Sequence, residues 1–420
     1  MPTDVFIGLD IGTSGARALA INEAGEVLGS CAEKMQDDAE DRRDPMGWRA
    51  AAFIALGRLI AQIEPMAVRT ICVDGTSGTM LPIDGAGAPL ATARMYNDSC
   101  NDPAVLQVIA DHAPSLSAAH GATSGLAKAH VFAKVPGVIK VVHQADWIAG
   151  ELCGRYMSDD NNALKTGYDP VAGRWPDWIE KTGLPIHLLP SVQEPGTTLG
   201  FIKSDIASMF GLAETTMLMS GTTDGCAAFL ATGAQAPGDG VTSLGTTLVL
   251  KLLSDIPIFA PEYGIYSHHI MGLWLAGGAS NTGGGVLLNH FSADEISDLS
   301  ASIKPEAPLN LGYYPLSKPG ERFPVADPTF APLISPRPEK DAEFLQALFE
   351  GIASVETQGY RRLAELGAPN LRSVRSVGGG AGNTAWTKIR SNALGVSMPR
   401  PVNTEAAYGS AVLARYGLSR

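Results

Sequence analysis

Residues 5–21, VFIGLDIGTSGARALAI, open the chain with an apolar run into Asp10, a polar turn Gly12-Thr13-Ser14-Gly15, and a second apolar run, Ala16–Ile21. Short apolar runs bounded by Gly, Ser and Thr predict strands, and the turn between them predicts a hairpin. Asn22-Glu23-Ala24-Gly25 predicts a further turn into a third strand. Asp44–Ile63 carries Trp48, Ala52, Phe53, Leu56, Leu59 and Ile60 at helical spacing between Pro45 and Pro65, which predicts a helix. Arg69–Asp74 is an apolar run of buried-strand type, followed by Gly75-Thr76-Ser77-Gly78. That GTSG repeats Gly12–Gly15, each time after a strand ending in Asp, so two loops facing one cleft are expected. Met80–Asp84 with Gly85–Gly87 gives another hairpin signal. Helices are expected over Asp102–Ala113 and Ala145–Cys153. Asn161–Asp169 is a polar stretch that suits either a solvated loop or the lining of a site for a hydroxylated ligand.

The second half repeats the theme. Met217–Ser220 leads into Gly221-Thr222-Thr223-Asp224-Gly225 and a small-residue helix, Cys226–Gly233. Gly238–Leu250 is a second strand–Gly-Thr–strand unit, an echo of residues 5–21. The echo predicts two halves built on the same hairpin, residues 1–221 and 222–420. Gly-rich Gly277–Gly285 precedes an expected helix, Val286–Phe291, and Pro305–Pro338 holds nine prolines and reads as an ordered but irregular excursion. Phe344–Leu366 is amphipathic. Val374–Val377 feeds Gly378-Gly379-Gly380-Ala381-Gly382-Asn383, with a helix from Thr384, and Glu405–Arg415 is a small-residue helix suited to close packing.

Composition adds bounds. With 420 residues, 45% of them hydrophobic, the chain can bury a large core in two or three domains. A net charge of −12 argues against a nucleic-acid footprint, yet glycine amides and one Mg²⁺ can still hold an anion locally. The five cysteines form no CxxC or Cys/His cluster, which fits buried thiols in a reducing compartment. No apolar run has spanning length, and Met1–Asp4 leads into no cationic signal region. A soluble cytoplasmic protein is expected, monomer or homodimer, with a small molecule rather than nucleic acid or membrane as partner.

The chemistry concentrates in the glycine turns. A carboxylate at Asp10 beside a ring of turn donors suits a metal–phosphate complex, although DxGT alone equally suits a plain hairpin. GGGAGN ends a strand and opens a helix, offering N–H groups to a nucleotide. The chain has no GxxxxGK[ST], which excludes a P-loop, and no GxGxxG in its first βα unit.

Together these turns resemble the phosphate and adenosine segments of the actin/hexokinase/Hsp70-type ATPases. That resemblance implies an α/β fold of two ribonuclease H-like domains around a central nucleotide cleft. The order DxGT, GTTDG, SLGTT, GGGAGN and EAAYGSA spans the chain and resembles the FGGY family of carbohydrate kinases. DGTSGT at 74–79, QADW at 144–147, NALKTGY at 162–168, EPG at 194–196, VTSLGTT at 241–247, GERFP at 320–324 and NTEAAYG at 403–409 are similar to its compact plant and cyanobacterial D-ribulose kinase branch. Where many members carry Trp-x-Asp-x-Arg against the sugar, this chain has Tyr96-Asn97-Asp98-Ser99-Cys100.

The resemblance implies a phosphotransferase with an alcohol acceptor that uses Mg-ATP. Phosphoryl transfer needs positioning, charge neutralisation and a proton acceptor. Asp224 is the expected general base, its alternative being a helix N-cap. Asp10 is expected to hold Mg²⁺ and a sugar hydroxyl, and Ser77 another hydroxyl or its own turn. Gly12 and Thr13 would face the γ-phosphate, Gly245 and Thr246 the β/γ-phosphates, and Gly379, Gly380 and Asn383 the adenosine. The halves are expected to close over both substrates and exclude water. The first acceptor expected is a ketopentose, D-ribulose giving D-ribulose 5-phosphate. Alternatives are xylulose or another polyol, and, in a different class, an ATPase of this architecture with no sugar acceptor. Adjacent His268 and His269 point to opposite faces of a strand, which favours structural roles over a shared metal.

Overall fold

The computed structural model describes residues 3–35 and 41–419, so Met1 and Pro2 of the opening segment lie outside the described residues. The chain divides into two compact units. The first holds Met1–Ala231, His268–Gly272 and Asn403–Arg420; the second holds Thr232–Ser267 and Leu273–Val402. This division differs from a single cut at residue 221, because the helix from Asp224 and the C-terminal helix both belong to the first unit. Close packing draws the C-terminal helix there. A Cβ at Gly8 would lie 1.9 Å from the Ala407 carbonyl oxygen, and one at Gly409 would lie 1.8 Å from that of Ala227.

The first unit is built on strands β1 (Val5–Ile11), β2 (Gly15–Ile21), β3 (Val27–Lys34), β4 (Val68–Gly75), β5 (Thr198–Phe201) and β6 (Met217–Thr223). They form one sheet in the order β3-β2-β1-β4-β6-β5. β1 pairs antiparallel with β2 and parallel with β4, and β4 pairs parallel with β6. Register sets Asp10 beside Asp74, and Asp74 beside Thr222. Alternate residues of a strand face opposite ways. Ile7, Leu9 and Ile11 therefore join Trp48 and Leu56 of helix Pro45–Ile60 in one core, while Gly8 and Asp10 face the C-terminal helix. Asp44 caps the Pro45–Ile60 helix by accepting from the Met46 N–H at 2.9 Å.

The second unit carries β7 (Asp239–Leu244), β8 (Leu248–Ser254), β9 (Leu273–Ser280) and β10 (Ser373–Val377) in the order β9-β8-β7-β10. β7 is antiparallel to β8 and parallel to β10. The pattern repeats β3-β2-β1-β4, so the echo between the halves is architectural. Helix Asp341–Glu365 buries Phe344, Leu348, Ile352 and Leu363 in this unit's core.

Three local expectations change. The helix after the Gly277–Gly285 stretch is short, Gly284–Leu287, because its glycines zip onto the β7–β8 turn instead of waiting for Val286. Asn161–Tyr168 is no solvated loop, since Asn161, Asn162, Ala163, Leu164 and Thr166 are buried. Helices Gly125–Phe132 and Ala293–Ser300 were not apparent from periodicity because each is a single octapeptide. Residues 305–338 hold no helix or strand beyond isolated bridges. Buried Glu321 orders them, accepting from Ser280 Oγ at 2.5 Å, the Asn281 N–H at 2.8 Å and Tyr314 OH at 2.9 Å.

Candidate active site

A cavity of about 640 Å³ opens in the first unit at the C-terminal ends of β1, β4 and β6, where parallel-sheet proteins place ligands. Both GTSG turns line it through Gly12, Thr13, Thr76 and Ser77, and Asp10 and Asp224 share it. In the first turn the Gly12 N–H donates to the Gly15 carbonyl at 2.9 Å, and a Cβ on Gly15 would lie 2.2 Å from the Glu33 carbonyl oxygen. The second turn closes from the Thr79 N–H to the Thr76 carbonyl at 3.2 Å, with Gly78 at φ 85°. Positive φ at the third turn position is what glycine supplies. Ser77 Oγ is buried without a hydrogen-bond partner among the described residues. Asp224 is the first residue of its helix, and its Oδ1 accepts from the Gly225 N–H at 2.6 Å.

The acids of this cavity are electrostatically crowded. Burial raises the pKa of Asp10, a hydrogen bond with Asp74 opposes the rise, and the Asp224 charge reinforces it. Arg17, with Nη1 3.4 Å from Asp10 Oδ2, supplies partial relief. Asp74 is fully buried, and its acid is pushed well above the carboxylate range by that burial and by Asp10. It accepts from Ser410 Oγ at 2.5 Å, while its Oδ1 has no partner among the described residues. Two carboxylates facing one cavity with a raised acid between them form a donor set that a cation would relieve. Among the described residues no group of three His, Cys, Asp or Glu side chains is placed to cage an ion. A cation that keeps most of its waters and takes one carboxylate, the habit of Mg²⁺, fits Asp10, with the Asp224 charge acting on the same place.

The segment Tyr96–Cys100 contributes Tyr96 to this cavity. Asp98 is tied instead to Arg43 Nη2 at 2.7 Å and to the Met95 N–H at 2.8 Å, and Cys100 is buried. Lys165, from the Asn161–Asp169 stretch that the sequence offered as a site lining, also lines the cavity, whereas sequence reasoning missed Lys128, which is fully buried behind it. The one sequence signal for Lys128 is a lone cation inside the apolar octapeptide Gly125–Phe132.

A cavity of about 550 Å³ in the second unit gathers the other predicted glycine residues. Gly245, Thr246, Gly379, Gly380 and Asn383 line it beside Leu287, Ile296 and Trp386. The Gly245 and Thr246 carbonyls accept from the N–H groups of Gly284 and Gly285 at 2.8 and 3.0 Å. Gly283, at φ 142°, allows that approach, since a Cβ there would sit 2.7 Å from the Thr247 carbonyl carbon. Asn383 caps the Thr384–Leu394 helix through Trp386 N–H at 2.9 Å and donates to Ser300 Oγ at 2.8 Å. Its side chain therefore fixes the wall of the cavity rather than projecting from it.

Several other sequence motifs are structural. Asp146 of QADW accepts from the His143 N–H and ring, and Trp147 Nε1 donates to the Gly87 carbonyl at 2.9 Å. Asn161 donates to Thr222 Oγ1 and the His269 carbonyl at 2.9 and 2.7 Å, and His269 Nδ1 pairs with Asp160 Oδ2 at 3.2 Å. No helix among the described residues is long and apolar enough to cross a membrane.

Residues 240–418 match the model of the C-terminal domain of the FGGY family of carbohydrate kinases. A xylulose kinase of Staphylococcus epidermidis is 24% identical over all of this chain and 89% of its own length. An autoinducer-2 kinase of Yersinia enterocolitica is 29% identical over 65% of this chain and 56% of its own. A solved structure of a xyloylose kinase from Brucella ovis superposes with a TM-score of 0.85 at 24% identity, over 99% of this chain and 91% of that one. Residues 240–418 thus carry the C-terminal domain of the FGGY family of carbohydrate kinases, and the chain as a whole shares the α/β fold of the solved sugar-kinase structure.

Proposed function

We propose that the chain phosphorylates the terminal hydroxyl of a ketopentose, with D-ribulose as the preferred acceptor. The observation that carries this reading is one cavity shared by Asp10, Asp224 and the unpartnered hydroxyl of Ser77. Asp224, at the start of its helix and half-buried, is the general base that takes the proton from the acceptor hydroxyl. Such a base contributes about 10²–10⁴-fold in rate. Asp10 holds Mg²⁺ and orients a sugar hydroxyl, and Ser77 receives a second. When bound, the ion neutralises charge on the transferring phosphoryl group. Gly12 and Thr13 present turn N–H groups to the γ-phosphate. In the second unit Gly245 and Thr246 contact the β/γ-phosphates, and Gly379, Gly380 and the backbone at Asn383 hold the adenosine. The similarity of DGTSGT, NALKTGY and NTEAAYG to the D-ribulose kinase branch favours that sugar, while the full-length xylulose kinase relative keeps D-xylulose as the second reading.

The test is an acceptor panel at fixed MgATP with ADP release coupled to a dehydrogenase. D-ribulose, D-xylulose, L-ribulose, ribitol, glycerol and autoinducer-2 are compared as kcat/KM ratios. D-ribulose is expected to lead, and a higher ratio for D-xylulose transfers the assignment to it. ATP hydrolysis that no acceptor accelerates would refute a sugar kinase of either kind. Asp224→Ala is expected to lose sugar phosphorylation while nucleotide binding persists.

A further inference from the structure

Lys128 is wholly buried, yet its ammonium bonds two backbone carbonyls rather than a carboxylate among the described residues. Nζ donates to the Gly78 carbonyl at 2.7 Å and to the Tyr96 carbonyl at 3.1 Å. Those carbonyls belong to two different loops, and each loop sends one neighbouring side chain, Ser77 or Tyr96, into the first unit's cavity. A second tie runs parallel to the first. Thr79 Oγ1 accepts from the Tyr96 N–H at 3.0 Å and bonds Thr76 Oγ1 at 2.6 Å. Thr76 in turn donates to Gln144 Oε1 through its N–H at 3.2 Å and its hydroxyl at 2.9 Å. Burying an ammonium is costly, and charge-assisted bonds to two carbonyls are what offset the cost here. Neither bond belongs to a helix or strand ladder; each ties the ammonium to a loop. What the ammonium adds is the fixed spacing of the two loops.

We infer that Lys128 is a positioning residue for the acceptor, holding the Ser77 turn and the Tyr96 loop at the separation that the sugar spans. The inference rests on reading this cavity as the sugar site. Lys128 does not itself line the cavity, so its effect should fall on acceptor affinity alone. Burial also lowers its pKa to about 8, with Asp98, Lys165 and Arg94 as the charged groups acting on it. Above that pH the neutral amine makes weaker bonds to both carbonyls, and the loops loosen.

Steady-state kinetics with sugar and MgATP varied independently test this. Lys128→Met should raise the sugar KM by about tenfold or more, the equivalent of one charged hydrogen bond, while the MgATP KM stays within about twofold. Thr79→Val should shift the sugar KM in the same direction. Wild-type kcat/KM for the sugar should fall as pH rises through about 8, and that limb should vanish in Lys128→Met. Folded Lys128→Met with an unchanged sugar KM, or with both KM values raised together, overturns the inference. Should Lys128→Met fail to fold, Thr79→Val and the wild-type pH profile decide, and the lack of both effects overturns it. Asp224→Asn run in parallel separates the two ideas. An active Asp224→Asn defeats the site assignment, whereas an inactive one with no KM split defeats only the role of Lys128.

Discussion

Glu356 and Arg390 form a fully buried ion pair in the second unit, between helices Asp341–Glu365 and Thr384–Leu394. The carboxylate accepts from Arg390 Nε at 2.6 Å, Arg390 Nη2 at 2.7 Å and Thr242 Oγ1 at 2.5 Å. Arg390 Nη1 also donates to Ser376 Oγ at 2.7 Å, so the pair ties both helices to β7 and β10. Arg390→Met would leave a buried carboxylate with one of its three donors. Removing one partner of such a pair costs about 3–5 kcal/mol, most of it the stranded charge rather than the lost attraction. Glu356→Leu combined with Arg390→Met removes both charges, and Thr242 and Tyr360 can still satisfy each other across their 2.9 Å contact. The double variant should therefore recover to within about 2 kcal/mol of wild type. Hydrogen exchange of the Thr384–Leu394 amides reads the opening free energy of this helix without requiring the whole chain to unfold in one step. Urea midpoints at unchanged slope supply a second measure. Should Arg390→Met cost under about 1 kcal/mol, or the double variant cost the sum of the singles, stranded-charge reasoning fails for this pair. Because the same helix carries Trp386 into the second unit's cavity, the proposed adenosine site, the single variant should also raise the MgATP KM.

Gly283→Ala meets backbone at 2.7 Å from a φ of 142°, so it should weaken MgATP binding with little change in sugar KM, measured by the same two-substrate kinetics. Gly409→Ala forces a Cβ to 1.8 Å from the Ala227 carbonyl and should lower stability by about 1–3 kcal/mol or more, read by thermal unfolding. Asn383→Ala removes a helix cap and should cost about 1 kcal/mol, seen as faster amide exchange over the first turn from Thr384. Lys128 adds a pH dependence of stability. Its folded pKa lies below the unfolded value, so the unfolded chain binds more protons between about pH 8 and the ordinary lysine range. Wild-type stability should gain on Lys128→Met as pH rises through that window; a difference that stays flat would argue against it.

Local pattern was enough for most elements. Asp44 and Pro45 marked one helix start, the apolar stripe from Phe344 marked the longest helix, and the repeated Gly-Thr turns marked two equivalent hairpins. Glycine turns and the family resemblance together pointed to Asp10, Ser77 and Asp224, which the fold gathers around one cavity. The chain alone could not say that Asn161 and Thr166 are buried, since a polar run looks solvated until its partners Thr222, His269 and His143 are brought beside it from 23 to 108 residues away. Nor could it reveal Asp74 beside Asp10, which only parallel register creates, or the buried reach of Lys128 across two loops. Periodicity and turn chemistry act over a few residues and are written in the sequence. The desolvation of a charge, and the pairing that offsets it, depend on which distant segments exclude water together, and that is decided only when the chain is folded.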